Sequence, residues 1–173
     1  MSIGSRWRAL HASDRFFIAF PIWLLILFGL FYWGRYWDLS PIGRVIDSVH
    51  RAVIMALLDN TLANRIIGYE IIISPHFRIV ITPECNGLVP YYIFLAAVLA
   101  YPKRWWCKLK WALIGYILFM VANFVRLVAV TEVVNGFGAA SFYYAHDIGG
   151  NILLIGVGSL LFLFYLRGCH DKE

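Results

Sequence analysis

Three residues of this chain carry side chains suited to nucleophilic attack on a carbonyl group, and they follow one another along its second half. Cys85, in Thr-Pro-Glu-Cys-Asn-Gly, supplies a thiol. Arg126, in Asn-Phe-Val-Arg, supplies a permanent positive charge, and His146, in His-Asp-Ile-Gly-Gly, supplies a base that titrates near neutral pH. Thiol, cation and base form an acyl-transfer site only if separate elements of the fold bring them together.

Three neighbouring residues are weaker candidates for the same site. Asn86 follows Cys85, and Asn123 lies three residues before the arginine on the same helical face, so both amides are placed to make hydrogen bonds there. Asp147 adjoins His146 and is a candidate to orient the imidazole ring, although adjacent side chains often point apart.

The composition indicates what kind of fold must position these residues. Hydrophobic residues make up 61% of the 173 residues and charged residues 14%, and the mean hydropathy is +0.72. So little polar surface cannot cover a water-soluble particle, and we expect an all-α integral membrane protein with one domain over residues 1–173. A membrane helix needs about 20 mostly apolar residues. Four windows approach that length: residues 16–33, 86–101, 111–134 and 148–166.

Basic residues predict the orientation of these four spans. They concentrate before the first span, between the second and third, and after the fourth: Arg6, Arg8 and Arg15; Lys103, Arg104, Lys108 and Lys110; Arg167 and Lys172. Such residues favour the cytoplasmic side, so both termini are expected inside the cell. No cleavage site follows the first span, which we interpret as an uncleaved anchor. The net charge of +5 then faces anionic lipid, and no nucleic-acid partner is needed.

The external region between the first two spans is predicted to hold two elements. Residues 41–60 repeat apolar side chains at helical spacing, which indicates an amphipathic helix on the outer membrane surface, with Asp47 and Arg51 paired on its polar side. Packing of its apolar side against the other helices is an equal alternative. Residues 66–82 are rich in β-branched side chains around a Ser-Pro-His turn, which predicts a β-hairpin leading into Cys85.

The predicted orientation separates the three cysteines. Cys107 and Cys169 fall on the cytoplasmic side, where we expect ordinary thiols near the membrane. Cys85 is alone on the outer side, so it is either a reactive thiol or a site of intermolecular pairing.

The order, spacing and expected placement of the three motifs resemble the exosortase/archaeosortase family, which are membrane-embedded, sortase-like cysteine transpeptidases. The resemblance covers the segment from the hairpin to the end of the fourth span, and this chain is shorter than the members with eight spans. It implies that Cys85 is the nucleophile, with Arg126 and His146 as its catalytic partners. It further implies a location in the bacterial inner membrane, with the active site facing outwards and no cofactor.

The resemblance also implies a class of substrate. These are exported proteins whose C-terminus carries a short recognition motif, a hydrophobic helix and a basic tail. The sequence does not identify the recognition motif, the acceptor of the cleaved chain or the oligomeric state. It also does not show whether a partner protein is needed.

Two other classes of function remain open on the residues themselves. A metal-dependent membrane hydrolase is one, with candidate ligands in His76, Glu84, Cys85, His146 and Asp147, although the spacing matches no common metal motif. The other is a membrane scaffold or small anion transporter in which the intramembrane arginine binds an anion; against a transporter, the chain has no internal repeat.

Overall fold

The computed structural model describes residues 11–33, 38–62 and 65–168. Most of the described residues are helical. The helices are α1 (Ala12–Phe31), α2 (Pro41–Thr61), α3 (Leu88–Ala100), α4 (Trp105–Phe137) and α5 (Gly150–Gly168). The strands are β1 (Tyr32–Trp33), β2 (Asp38–Leu39), β3 (Ile66–Ile67), β4 (Glu70–Ser74) and β5 (Phe77–Val80).

The start of α2 is tied to the end of α1. Ser40 caps α2, since its Oγ accepts from Gly43 N at 2.9 Å, and Pro41 occupies the first helical position. The same hydroxyl donates to the carbonyl of Leu30, and Ser40 N donates to Phe31 O at 2.8 Å. A Cβ at Gly43 would collide with that Phe31 carbonyl, so glycine permits the close approach of the two helices.

The predicted hairpin is confirmed and is the centre of a three-stranded antiparallel sheet in the order β3-β4-β5. Its turn contains Pro75 and His76, and β3 adds a short third strand. The inner face of the sheet packs on α2 and α4 around a buried cluster whose members include Ile54, Leu58, Ile71, Ile79, Ile81, Leu127 and Val130. This packing fixes the orientation of β5 and therefore the position at which the chain enters the Cys85 turn.

The second buried cluster joins α3, α4 and α5, with Phe94, Val98, Phe119, Leu161 and Tyr165 among its members. Outside these two clusters, long apolar side chains are exposed along α1, α4 and α5, as for Phe17, Leu25, Leu113 and Ile155. Apolar surface of this extent is typical of a lipid-facing protein.

Within the described residues, three helical segments are long and apolar enough to cross a membrane: Ser13–Phe31, Trp105–Phe137 and Ala139–Gly168. The second of the four predicted spans is shorter than expected. Helix α3 has 13 residues instead of the 16 of the predicted window, because it begins after Gly87, at φ 85°, and ends before Tyr101-Pro102. At 1.5 Å per residue it is about 20 Å long, less than the bilayer core.

The predicted surface of α2 needs one correction. Asp47 was expected on the exposed polar side, but it is only 1% exposed, and the face buried against the protein also includes His50, Ile54 and Leu58. The predicted ion pair between Asp47 and Arg51 is present. The predicted apolar side points outwards instead: Ile42, Val45, Ile46, Val49, Val53 and Leu57 are exposed, so this side does not pack against the other described helices.

Candidate active site

Cys85 lies in a tight turn between the sheet and α3. The single 3₁₀ turn Pro83–Cys85 follows β5, and Asn86 and Gly87 connect it to α3. The thiol is partly exposed and accepts a hydrogen bond from Thr82 Oγ1, with 3.4 Å between oxygen and sulfur. A strand on one side and a helix on the other therefore hold the thiol, as the sequence predicted.

His146 lies in a π-helical turn, Tyr144–Gly149, that leads into α5. In this turn the adjacent side chains of His146 and Asp147 do meet: Nδ1 of the ring is 2.7 Å from Asp147 Oδ1. Phe142 stacks on the other side of the imidazole, with 4.9 Å between ring centroids. Turns of this kind are frequent at functional sites because they re-aim side chains out of a regular helix.

Arg126 comes from the middle of α4 and is 5% exposed. Its Nη1 donates to Asn123 Oδ1 at 3.2 Å, so the two residues, expected on one helical face, are in direct contact. Its Nη2 lies 3.0 Å from His146 Nε2 and 3.3 Å from the His146 carbonyl oxygen. The arginine thus joins α4 to the turn before α5.

The contact with Arg126 fixes the proton on His146. A guanidinium only donates, so His146 Nε2 must be the acceptor, and the proton of the neutral ring sits on Nδ1, where it is donated to Asp147. Nε2 is then the basic nitrogen. Asp147 orients the imidazole in the same sense as the carboxylate of a nucleophile-base-acid triad.

The thiol, the imidazole and the guanidinium come together in one site. A hydrogen bond donated by protonated His146 to the thiolate is the largest cause that lowers the pKa of Cys85 below its ordinary value. Burial opposes this shift, whereas the hydrogen bond from Thr82 and the positive charge of Arg126 add to it. The three residues predicted to carry the chemistry therefore interact, although they come from three separate elements.

The site also contains polar groups with no partner in the described part of the chain. Asn123 Nδ2 and Arg126 Nε are buried and make no hydrogen bond to any described residue. Arg126 likewise has no described carboxylate in ion-pair contact. A buried guanidinium without a carboxylate partner is costly inside an apolar helix, and such residues usually mark a functional site.

Asn86 differs from the expectation for a supporting residue. Its side chain bonds to Asp47 of α2 instead of to the three central residues, and its backbone carbonyl accepts from His50 Nε2 at 2.9 Å. Neither Asp47 nor His50 was identified as part of the site from sequence. In the sequence they belong to a mixed polar stretch with Ser48 and Arg51, which does not reveal a partner near residue 86.

The remaining predicted residues lie elsewhere or are not described. His76 is exposed on the hairpin turn. For Cys107 the structure contradicts the expectation of an ordinary thiol, because that residue is disulfide-bonded. The side chain of Glu84 and the residues Arg6, Arg8, Cys169 and Lys172 fall outside the described parts of the chain. Over the described residues, no group of three or more His, Cys, Asp or Glu side chains is arranged to hold a metal ion.

No protein-family model, no curated protein and no solved structure matches this chain. Its function is therefore inferred from the geometry of the site and the resemblance of its three motifs.

Proposed function

We propose that the chain is a membrane-embedded cysteine transpeptidase or endopeptidase of the exosortase/archaeosortase type. The observation that carries this proposal is the His146 ring, held by Arg126 at Nε2 and by Asp147 at Nδ1, beside the Cys85 thiol, whose pKa is lowered. Arg126, buried and without a carboxylate partner among the described residues, adds a positive charge to the same site. Nucleophile, oriented base and fixed cation are the parts needed for acyl transfer through a thioester.

In the first half-reaction the Cys85 proton passes to His146 Nε2, and the sulfur attacks a peptide carbonyl carbon of the substrate. The resulting oxyanion collapses, the carbon-nitrogen bond breaks, and His146 returns the proton to the leaving amine. The N-terminal part of the substrate stays on Cys85 as a thioester. In the second half-reaction an acceptor amine or water attacks the thioester, His146 takes its proton, and the thiol is regenerated.

Arg126 has two successive roles in this scheme. In the resting site it donates to His146 Nε2, the same atom that must receive the thiol proton. When that nitrogen becomes protonated, two donors face each other, and the guanidinium has to turn away. The nearest new negative charge is the thiolate or the oxyanion, so proton transfer itself directs Arg126 to the group that it stabilises.

The proposed location is a bacterial inner membrane, with four spans, both termini in the cytoplasm and the site opening outwards. Exported substrates would carry a C-terminal motif, a hydrophobic helix and a basic tail. The distribution of basic residues supports this orientation, with Lys103, Arg104, Lys108 and Lys110 between α3 and the early turns of α4. Exposed apolar side chains on α1, α4 and α5 support direct contact with lipid, through which a substrate helix can approach.

The test compares native cells that carry the wild-type chain, Cys85→Ala or Cys85→Ser at matched membrane abundance. The C-termini of exported membrane-anchored proteins are mapped by mass spectrometry. We expect a set of proteins to lose the C-terminal helix in wild-type cells and to keep it in both variants, because a hydroxyl is a far poorer nucleophile than a thiolate at neutral pH. Full processing by Cys85→Ser would contradict the proposal. Identical C-termini in all three strains would also contradict it.

A further inference from the structure

A buried polar cluster lies between α2 and the turn that carries Cys85. Its members Asp47, His50 and Asn86 are at most 3% exposed. Buried polar groups are stable only when hydrogen-bonded, and here they bond mainly to one another. Asn86 Nδ2 donates to Asp47 Oδ1, and His50 Nε2 donates to the Asn86 carbonyl at 2.9 Å.

Both polar atoms of the Asn86 side chain are hydrogen-bonded. Its amide nitrogen is held by Asp47, and its amide oxygen accepts from Leu88 N at 2.9 Å. The next residue, Gly87, is fixed as well, because it has φ 85° and packs so closely on Asn123 that a Cβ there would lie 2.8 Å from Asn123 Cβ. The turn after Cys85 is therefore held by α2 on one side and by α4 on the other.

The protonation state of His50 suits its place in this cluster. Burial is the largest effect on its pKa and lowers it, although the bond to the Asn86 carbonyl and the nearby Asp47 oppose that shift. The ring is then neutral at pH 7. Since Nε2 donates to a carbonyl, Nδ1 is the acceptor, and it receives the hydroxyl of Tyr116 at 3.0 Å.

The chain before Cys85 is anchored by the same helix. Arg51, one turn after Asp47 in α2, donates to the other carboxylate oxygen of Asp47. It also lies 3.4 Å from the carbonyl oxygen of Ile81, where β5 has just ended. Residues of α2 thus hold both ends of the segment 81–86, with Cys85 inside it.

We propose that Asp47, His50 and Arg51 are positioning residues, which hold both ends of the Cys85 turn against α2 and so keep the thiol within reach of His146. This inference rests on the proposed function for its biological meaning, but its test needs no substrate. Helix α2 is then part of the support of the active site, in addition to any contact that it makes with the membrane surface.

The test uses the alkylation rate of Cys85 by iodoacetamide as a function of pH, with purified protein in lipid nanodiscs. His50→Leu keeps the bulk of the side chain and removes the donor, without changing the charge of a neutral ring. His50→Gln places an amide donor near the original Nε2 position. We expect His50→Leu to move the pH profile of Cys85 alkylation to higher pH. A displacement of about one pH unit would make alkylation at pH 7 about tenfold slower. His50→Gln should stay close to wild type.

Thr131→Val is the matched control. Thr131 is fully buried in α4, and its hydroxyl donates to Leu127 O at 2.8 Å within that helix. If His50 contributes only to general stability, Thr131→Val and His50→Leu should both lower the melting temperature, and both should keep the wild-type alkylation profile. That result would overturn the inference. If His50→Leu does not accumulate in the membrane, His50→Asn replaces it, because its shorter amide does not reach Asn86 O.

Failure of this inference is distinguishable from failure of the proposed function. A wild-type thiol profile in His50→Leu contradicts the positioning role whatever the chain does in the cell. Conversely, an altered thiol profile together with unprocessed substrates in wild-type cells would support the positioning of Cys85 and contradict the transpeptidase.

Discussion

At the scale of single residues, the hydrogen bond between His146 and the thiol should govern the reactivity of Cys85. That bond is the largest cause that lowers the Cys85 pKa, so its removal raises the pKa and leaves less thiolate at a given pH. We expect His146→Ala to move the pH profile of Cys85 alkylation to higher pH and to slow the reaction at pH 7. His76→Ala, which removes an exposed histidine from the hairpin turn, is the control and should match wild type. If the wild type, His146→Ala and His76→Ala have the same alkylation profile, His146 does not influence the thiol.

Arg126→Lys tests whether charge alone suffices in the second position. The guanidinium reaches Asn123 Oδ1, His146 Nε2 and the His146 carbonyl at the same time, and a lysine ammonium cannot span this arrangement. We expect the variant to fold but to lose most substrate processing in cells. Arg65→Lys, in an exposed pair with Glu132, provides the matched control and should process normally. Near-normal processing by Arg126→Lys would mean that the planar donor fork is not needed.

The sequence singled out three residues that lie together in the structure, but it did not reveal the residues that support them. Cys85, Arg126 and His146 could be identified because thiol, cation and imidazole are rare near membrane helices and therefore conspicuous. Asp47 could not, because helical spacing places an aspartate with the polar side, and its burial depends on Asn86, 39 positions away. The contact of His146 with Asp147 depends on a π-helical turn, which periodicity does not reveal.

At the scale of elements, the link between the Cys85 turn and α3 depends on a glycine. Gly87 has φ 85°, a left-handed conformation that costs an alanine about 1–2 kcal/mol, and its missing Cβ leaves room for Asn123. We expect Gly87→Ala to lower thermal stability and also to slow alkylation of Cys85, because the turn must move away from α4.

Gly68→Ala separates these two effects. Gly68 has φ 61° in the β3-β4 turn, but nothing lies within 4 Å of its missing Cβ. This variant should lose a similar amount of stability while Cys85 reacts as in wild type. If Gly68→Ala slowed alkylation as much as Gly87→Ala does, the contact with Asn123 would have no special role.

The hairpin and α2 illustrate what patterns of residues can and cannot determine. A Ser-Pro-His turn between β-branched runs was sufficient to predict β4 and β5, because both the turn and the pairing are local. Helix α2 was predicted within one residue at its end, yet the side that packs on the protein is the one with Asp47 and His50. Its six exposed apolar side chains fit the predicted contact with the outer membrane surface.

At the scale of the whole molecule, the lengths of the helices set the depth of the site. Helix α4 has 33 residues and is about 50 Å long, so it exceeds the bilayer core of about 30 Å. Helix α3 is about 20 Å long, and in the proposed topology it starts from the same basic end and stops short of the far surface. In that topology the Cys85 turn would lie towards the outer side of the membrane, together with Arg126 and His146.

The two ends of α4 offer a direct test of orientation. Trp106 and Phe137 lie near opposite ends of this helix, and both side chains are more than three-quarters exposed. The Trp106 end adjoins Arg104 and Lys108, which favour the cytoplasm. We expect an impermeant maleimide to label Phe137→Cys in intact spheroplasts and to label Trp106→Cys only after permeabilisation, in a parent chain whose native cysteines are serines. Labelling of Trp106→Cys in intact spheroplasts would reverse the orientation and place the Cys85 site on the cytoplasmic side, where it could not meet exported substrates.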